Sequence, residues 1–235
     1  MNGVHDMGGM ECFGSLTSDS SVDSLHESTL FHHDWERTVL ALSLAMGATG
    51  NWNLDQSRAT RESLPPDQYL SIGYYRIWLA ALERLLVQHG LVTAEELEQG
   101  ESIETPMPLN KVLRGKDVET VLKKGSPVDR PLQGSPAYAV GEAVTVNNQH
   151  INTHTRLPGY IRGHVGTVHK VHGAHIFPDS HALGLGEDPR WLYNIRFSAE
   201  QLWGPKAGRT GDVHVDCWEP YLSPIEPAQH RSADD

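Results

Sequence analysis

Apolar positions recur along this chain with two periods, and the change falls near residue 138. Between Trp35 and Leu86 they come three and four apart, the repeat of a helix with one apolar face. From Tyr138 onward they alternate, the repeat of a half-buried strand. Trp35, Val39, Leu42 and Met46 give the first predicted helix its apolar face. Asp34 is its expected N-cap, Glu36 lies in the first turn, and Gly47 and Gly50 stop it. Asn53 caps a second short helix, with Gln56 three residues on as in a capping box. Pro65-Pro66-Asp67 opens the strongest predicted helix, residues 67–89, ended by Gly90. Tyr74, Trp78, Leu82, Leu85 and Leu86 line one side of it. Thr93 and Glu96 form a capping box for one more short helix, closed by Gly100.

Residues 101–137 are punctuated by Pro106, Pro108, Pro127, Pro131 and Pro136. They read as a linker with one short helix near residues 116–123. Four strands follow, from Val140 to Val146, Val165 to Val171, Leu192 to Phe197 and Val213 to Cys217. Short strands at this spacing suit a small barrel. Phe177 to Pro189 reads as an irregular loop. Residues 1–30 are rich in Gly, Ser and Asp, with scattered apolar residues and no period. They suit either an arm laid over another surface or a disordered terminus. The expected division is an arm over 1–30, a helical domain over 31–100, the linker over 101–137 and a β domain over 138–235. The fold class is therefore α+β.

Lys+Arg 19 against Asp+Glu 30 gives a net charge of −11, which opposes broad contact with a nucleic-acid backbone. The two cysteines, Cys12 and Cys217, form no Cys-x-x-Cys pair and fit a reducing cytoplasm. The first 30 residues lack the basic and apolar regions of a secretory signal. The apolar stretch from Val39 to Ala48 is too short to span a membrane.

Candidate chemistry is sparse. His164, His169, His172, His175 and His181 cluster in the chain, but no pair has helical metal-ligand spacing with a carboxylate partner. No phosphate loop, nucleophile elbow or dinucleotide fingerprint is present. Cys217 reads as buried and inert. Arg58 sits beside Arg61 and Glu62, as on an exposed, salt-bridged helix face. Arg156 stands against Leu157-Pro158-Gly159, a rigid, turn-prone frame. It reads either as a solvated loop arginine or as a fixed fork of donors for an anion. The aromatic group Tyr69, Tyr74, Tyr75 and Trp78 reads as core or as the wall of an apolar pocket. The chain shows no self-contained catalytic constellation; if it serves an enzyme, it is expected to complete a site held on another chain.

Several blocks together resemble one family. They are the first ten residues, Trp35-Glu36, Asn53-Leu54-Asp55 followed by Arg58, and Pro66 to Trp78 with Tyr74-Tyr75. His154-Thr155-Arg156, Arg162 to Val168, Gln201-Leu202-Trp203-Gly204 and Asp216 to Tyr221 complete the set. Nearly end to end, the chain resembles the nitrile hydratase beta subunit. The resemblance implies a helical amino-terminal part, an arm wrapping a partner and a carboxy-terminal SH3-like small β-barrel. It implies an alpha subunit holding low-spin cobalt(III) or iron(III) among cysteines, two of them oxidised, with no metal or other cofactor bound by this chain. Two beta-subunit arginines hydrogen-bond to those oxidised cysteines in the family, and by motif they fall on Arg58 and Arg156. Leu54, Ser57, Tyr74 and Trp78 match positions near the substrate pocket. Ser57 stands where some members place a bulky aromatic, and Ile77 where some place histidine.

The implied activity adds water to a nitrile to give an amide, inside a heterodimer or heterotetramer that is inactive without the alpha subunit. No nucleic acid or membrane is expected as a partner. Two other readings remain open at this point: an assembly or metallochaperone protein for the alpha subunit, and a nucleic-acid-binding SH3-like module. The Gly163 to Val171 run suggests the latter.

Overall fold

Gly73 breaks what the apolar spacing predicts as one long helix. Its φ of 79° places it in the left-handed region, so the chain stops after Pro66–Ser71 and restarts at Tyr74–Gln88. This is seen in a computed structural model that describes residues 3–10, 30–205 and 211–225. The residues form two units, residues 3–126 and 127–225. The expected arm lies for the most part outside the described residues.

The first unit is helical. Helix α1 spans Asp34–Gly47 and α2 spans Leu54–Glu62. The broken pair gives α3, Pro66–Ser71, and α4, Tyr74–Gln88. Helix α5 spans Ala94–Gln99, and α6, Val118–Lys124, follows a 3-10 turn at Gly115–Asp117. The N-cap of α1 is His33 rather than Asp34. The cause is Glu36, whose carboxylate reaches back to the backbone N–H of His33 at 3.2 Å. At α2 the expected capping box is present, with Gln56 N–H donating to Asn53 Oδ1 at 2.8 Å and Asn53 N–H donating to Gln56 Oε1 at 2.9 Å. Trp52, Leu82 and Leu85 form a small core, with Met46, Leu86 and Leu91 packed against it. Leu42, placed by its spacing on the buried face of α1, is 46 % exposed.

The second unit is built on a five-stranded antiparallel sheet. Strands β1 (Ala143–Val146), β2 (Val165–His175), β3 (Arg190–Ser198) and β4 (Asp212–Trp218) run as a meander. Strand β5 (Leu222–Pro224) returns to pair with β1, giving the order β4-β3-β2-β1-β5. The period of two has its physical result here. Val144 lies opposite Gly166, Val168 opposite Ile195, Ile195 opposite Val215 and Tyr193 opposite Cys217. Val144, Val168, Ile195, Tyr193 and Cys217 are all at most 1 % exposed and belong to one core with Phe197, Leu157 and Tyr221. Each such aliphatic or aromatic side chain contributes about 1.5–3 kcal/mol on burial. Gly166 is needed for closeness rather than for φ, because a Cβ there would sit 2.4 Å from Ile195 Cγ2 and 2.7 Å from Phe197 Cε1.

Two features differ from expectation. The sheet is open, with β4 and β5 at its two edges, so the described strands do not close the expected barrel. The irregular loop from Phe177 to Pro189 holds a short helix, α7 (Pro178–Ala182), with proline in its first turn. A last helix, α8 (Ala199–Trp203), follows β3 and is capped by Ser198. Among the described residues no helix is long and apolar enough to cross a membrane.

Candidate functional site

In the helical unit the candidate residues gather on α2 and α4. Leu54 and Ser57 lie in the first turn of α2, and Arg58 one position on. Asp55, with its side chain 7 % exposed, holds Arg58 by a 3.0 Å contact from Nη1 to Oδ1. The Arg58 side chain remains 39 % exposed. Its donor fork is therefore steered by a buried carboxylate but not consumed by it. Tyr74 and Trp78 stand one turn apart on α4 with ring centroids 5.6 Å apart. Tyr74 is 65 % exposed, and Leu54 48 %. The Tyr74 ring is therefore at the surface, whereas Trp78 is half-buried. Together they present an aromatic surface.

Ser57 and Trp78 line one cavity of about 20 Å³ with Ser43, Trp52, Arg61 and Leu82 among its other walls. That admits a single water molecule and no nitrile. The Ser43 hydroxyl, on α1, is buried there with no hydrogen-bond partner among the described residues. Arg61 turns inward where Arg58 turns outward. Its Nε donates to the Ser57 carbonyl and its Nη2 to Ser57 Oγ, both at 3.1 Å. Its Cζ lies 4.4 Å from the centroid of the Trp78 ring. Burial pushes this guanidinium below its ordinary pKa range.

In the sheet unit, Arg156 sits in a segment pinned at several backbone points. Its N–H donates to the Tyr221 hydroxyl at 3.2 Å, and Thr155 Oγ1 donates to the same oxygen at 3.1 Å. Tyr221 in turn donates to the Asp179 carboxylate at the start of α7. The phenol is fully buried. Desolvation, then the Asp179 charge, push its pKa well above the ordinary phenol value. Burial also raises the Asp179 carboxyl, against the lowering effect of its Tyr221 and Thr155 hydrogen bonds. Arg162, 9 % exposed, donates from Nη2 to the Leu157 carbonyl at 3.0 Å and so fixes the other side of Arg156. The rigid frame expected from Leu157-Pro158-Gly159 is thus a hydrogen-bonded scaffold.

Leu54, Ser57, Arg58, Tyr74 and Trp78 share the helical unit, and Arg156 belongs to the sheet unit. Asp55, Arg61, Asp179 and Tyr221 make contacts around the candidate residues that sequence spacing did not assign. Tyr221 had one signal, its place in the Asp216 to Tyr221 block. Cys217 is buried, with its thiol pushed up to about 12 by desolvation. The histidines pair in other ways: His172 Nε2 lies 3.0 Å from Asp216 Oδ1, and the His169 and His214 rings meet at 4.6 Å. Among the described residues no group of three or more His, Cys, Asp or Glu is placed to hold a metal ion.

Comparison with known proteins agrees with the arrangement of two units. The family model "Nitrile hydratase beta subunit, N-terminal" matches residues 1–121, and "Nitrile hydratase beta subunit, C-terminal" matches residues 127–224. The low-molecular weight cobalt-containing nitrile hydratase subunit beta of Rhodococcus rhodochrous is 39 % identical over 95 % of this chain and 100 % of its own. The cobalt-containing nitrile hydratase subunit beta of Pseudonocardia thermophila is 33 % identical over 96 % of this chain and 97 % of its own. A chain of thiocyanate hydrolase from Thiobacillus thioparus is 21 % identical, with a TM-score of 0.39 over 49 % of this chain, too slight a likeness to bear on the fold. Two family models spanning both units, with relatives matched along nearly their whole length, place this chain in the nitrile hydratase beta subunit family.

Proposed function

We propose that this chain pairs with a nitrile hydratase alpha subunit and supplies Arg58 and Arg156 as fixed donors to that subunit's oxidised cysteines. The observation that carries the reading is the support each arginine receives. A buried Asp55 steers Arg58, and a Tyr221–Asp179 pair anchors the backbone of Arg156. Arginine is not a metal ligand, but its planar fork suits cysteine oxygens that bear charge. The cobalt(III) or iron(III) of the alpha subunit supplies Lewis-acid chemistry to the nitrile. This chain's own share is to hold acceptor oxygens in place and to form one wall of the substrate site.

That wall is Leu54, Ser57, Tyr74 and Trp78. The exposure of Leu54 and Tyr74 and the small size of the cavity that Ser57 and Trp78 line support a pocket completed by the partner, in a heterodimer or heterotetramer. Exposed apolar residues along 103–122, including Ile103, Met107, Val112 and Leu122, give that partner further surface to cover. The finer reading of the sheet as an SH3-like small barrel is supported by its meander, with β5 returning to β1. A cytoplasmic location rests on the cysteine usage, and the absence of a nucleic-acid partner on the acidic balance.

The test is amide formation from a simple nitrile by this chain alone, by its alpha partner alone, and by the two co-expressed. Cobalt is supplied first and iron second, because relatives are named cobalt-containing. Activity in the combination alone, lost with Arg58→Lys or Arg156→Lys, is the expected result. An active partner from which this chain is absent would make the chain an assembly protein instead.

A further inference from the structure

Arg61 turns its fork into the helical unit, bonding there through Nε and Nη2. Arg58 lies on the same helix, three residues earlier, and keeps an exposed guanidinium. Arg61 instead reaches back along α2 to the Ser57 carbonyl and hydroxyl, at 3.1 Å each. The same group covers the Trp78 indole at 4.4 Å. One planar group therefore touches two of the four candidate pocket residues, Ser57 on α2 and Trp78 on α4. All three line the same cavity, and Ser43, whose buried hydroxyl has no partner among the described residues, lines it too. A space of about 20 Å³ leaves the indole and the serine room to shift by a fraction of a side chain. What opposes such a shift is the guanidinium, held to α2 by two hydrogen bonds and to α4 by the ring face.

We propose that Arg61 is a positioning residue that fixes the Trp78 indole and the Ser57 hydroxyl, and so sets how bulky a nitrile the enzyme accepts. This rests on the reading that Ser57 and Trp78 form part of the nitrile pocket. A lysine could keep charge over the ring but offers no planar fork to reach both Ser57 oxygens at once. The required chemistry is that of arginine.

The test uses the co-expressed, metal-loaded complex with benzonitrile and propionitrile as probes. KM and kcat are measured for Arg61→Met, Arg61→Lys and Trp78→Ala. A cation–π contact of this kind corresponds to about fivefold in an equilibrium constant. The expected result for Arg61→Met is therefore a change of about fivefold in the ratio of the two KM values, larger than any change in the ratio of kcat values. Arg61→Lys should fall between Arg61→Met and the unmodified enzyme. If Trp78→Ala shifts the ratio and Arg61→Met does not, Arg61 has no positioning role and the pocket reading survives. If Trp78→Ala also leaves the ratio unchanged, the pocket reading fails and takes the proposal with it. Equal effects on both nitriles, or failure of both Arg61 variants to assemble with the partner, would assign Arg61 to stability alone.

Discussion

The backbone N–H of Arg156 donates to the hydroxyl of Tyr221, a contact of 3.2 Å across 65 residues of chain. It joins the candidate arginine to the end of the sheet, where Tyr221 precedes β5. The phenol oxygen takes two donors, from Thr155 and Arg156, and gives its own proton to Asp179. Tyr221→Phe removes all three contacts while keeping the ring. Loss of a buried hydrogen-bonding group of this kind costs about 1–3 kcal/mol. The expected result is a lower denaturation midpoint for the complex. It comes with a kcat reduced by about ten- to a hundredfold, the scale of a displaced catalytic group. An unchanged kcat at reduced stability would detach Tyr221 from the positioning of Arg156.

Ser57 provides a second handle on the wall. Its side chain is small, and it borders a cavity with Trp78. Ser57→Phe fills the space and displaces the fork of Arg61 from Ser57 Oγ. Overpacking of this sort costs about 1–3 kcal/mol. Benzonitrile should therefore lose more in kcat/KM than propionitrile. Equal losses on the two nitriles would mean that Ser57 does not border the substrate.

Local rules were legible in the sequence, and distant ones were not. The capping boxes at Asn53 and Thr93 involve groups three residues apart, so the chain states them outright. The alternation in β2 to β4 is likewise local and marked the three strands, and in the fold Val168, Ile195 and Cys217 fall on the core face. Strand β5 escaped because three residues cannot show a period. The helix over 67–89 was broken at Gly73 by a φ whose sign the apolar spacing does not carry. Spacing made Arg58 an ordinary surface residue and left Arg156 open between a solvated loop arginine and an anion-binding fork, so family resemblance was what singled the two out together. What separates Arg58 from Arg61 is the position of Trp78 on another helix, and no local pattern contains it.

Gly166 offers a test of the sheet that is independent of function. It faces Val144 on one side and is crowded by Ile195 and Phe197 on β3. An added methyl would meet side-chain atoms at 2.4 and 2.7 Å, inside any tolerable contact, and Ile195 and Phe197 are themselves fully buried. Gly166→Ala should therefore destabilise the complex by about 1–3 kcal/mol, read as a shift in denaturant midpoint without a change in slope. A neutral result would show that β2 and β3 can part without cost.

Glu96 makes a prediction about pH. Its carboxylate accepts from the backbone N–H groups of Thr93 at 2.8 Å, Ile103 at 2.8 Å and Glu104 at 3.1 Å. These bonds, that of Thr93 foremost, hold its pKa at about 2 against an ordinary 4.5. The folded value lies below the unfolded one, so the contribution to stability is present above about pH 4.5 and is lost as pH falls toward about 2. The loss should be local, because two of the three donors belong to the segment after α5. The amide signals of Ile103 and Glu104 should move together on acidification, with a midpoint near pH 2, while Glu96→Gln flattens the transition. A midpoint near 4.5 would mean that the carboxylate is not held by those donors, and that the chain after Gly100 turns for another reason.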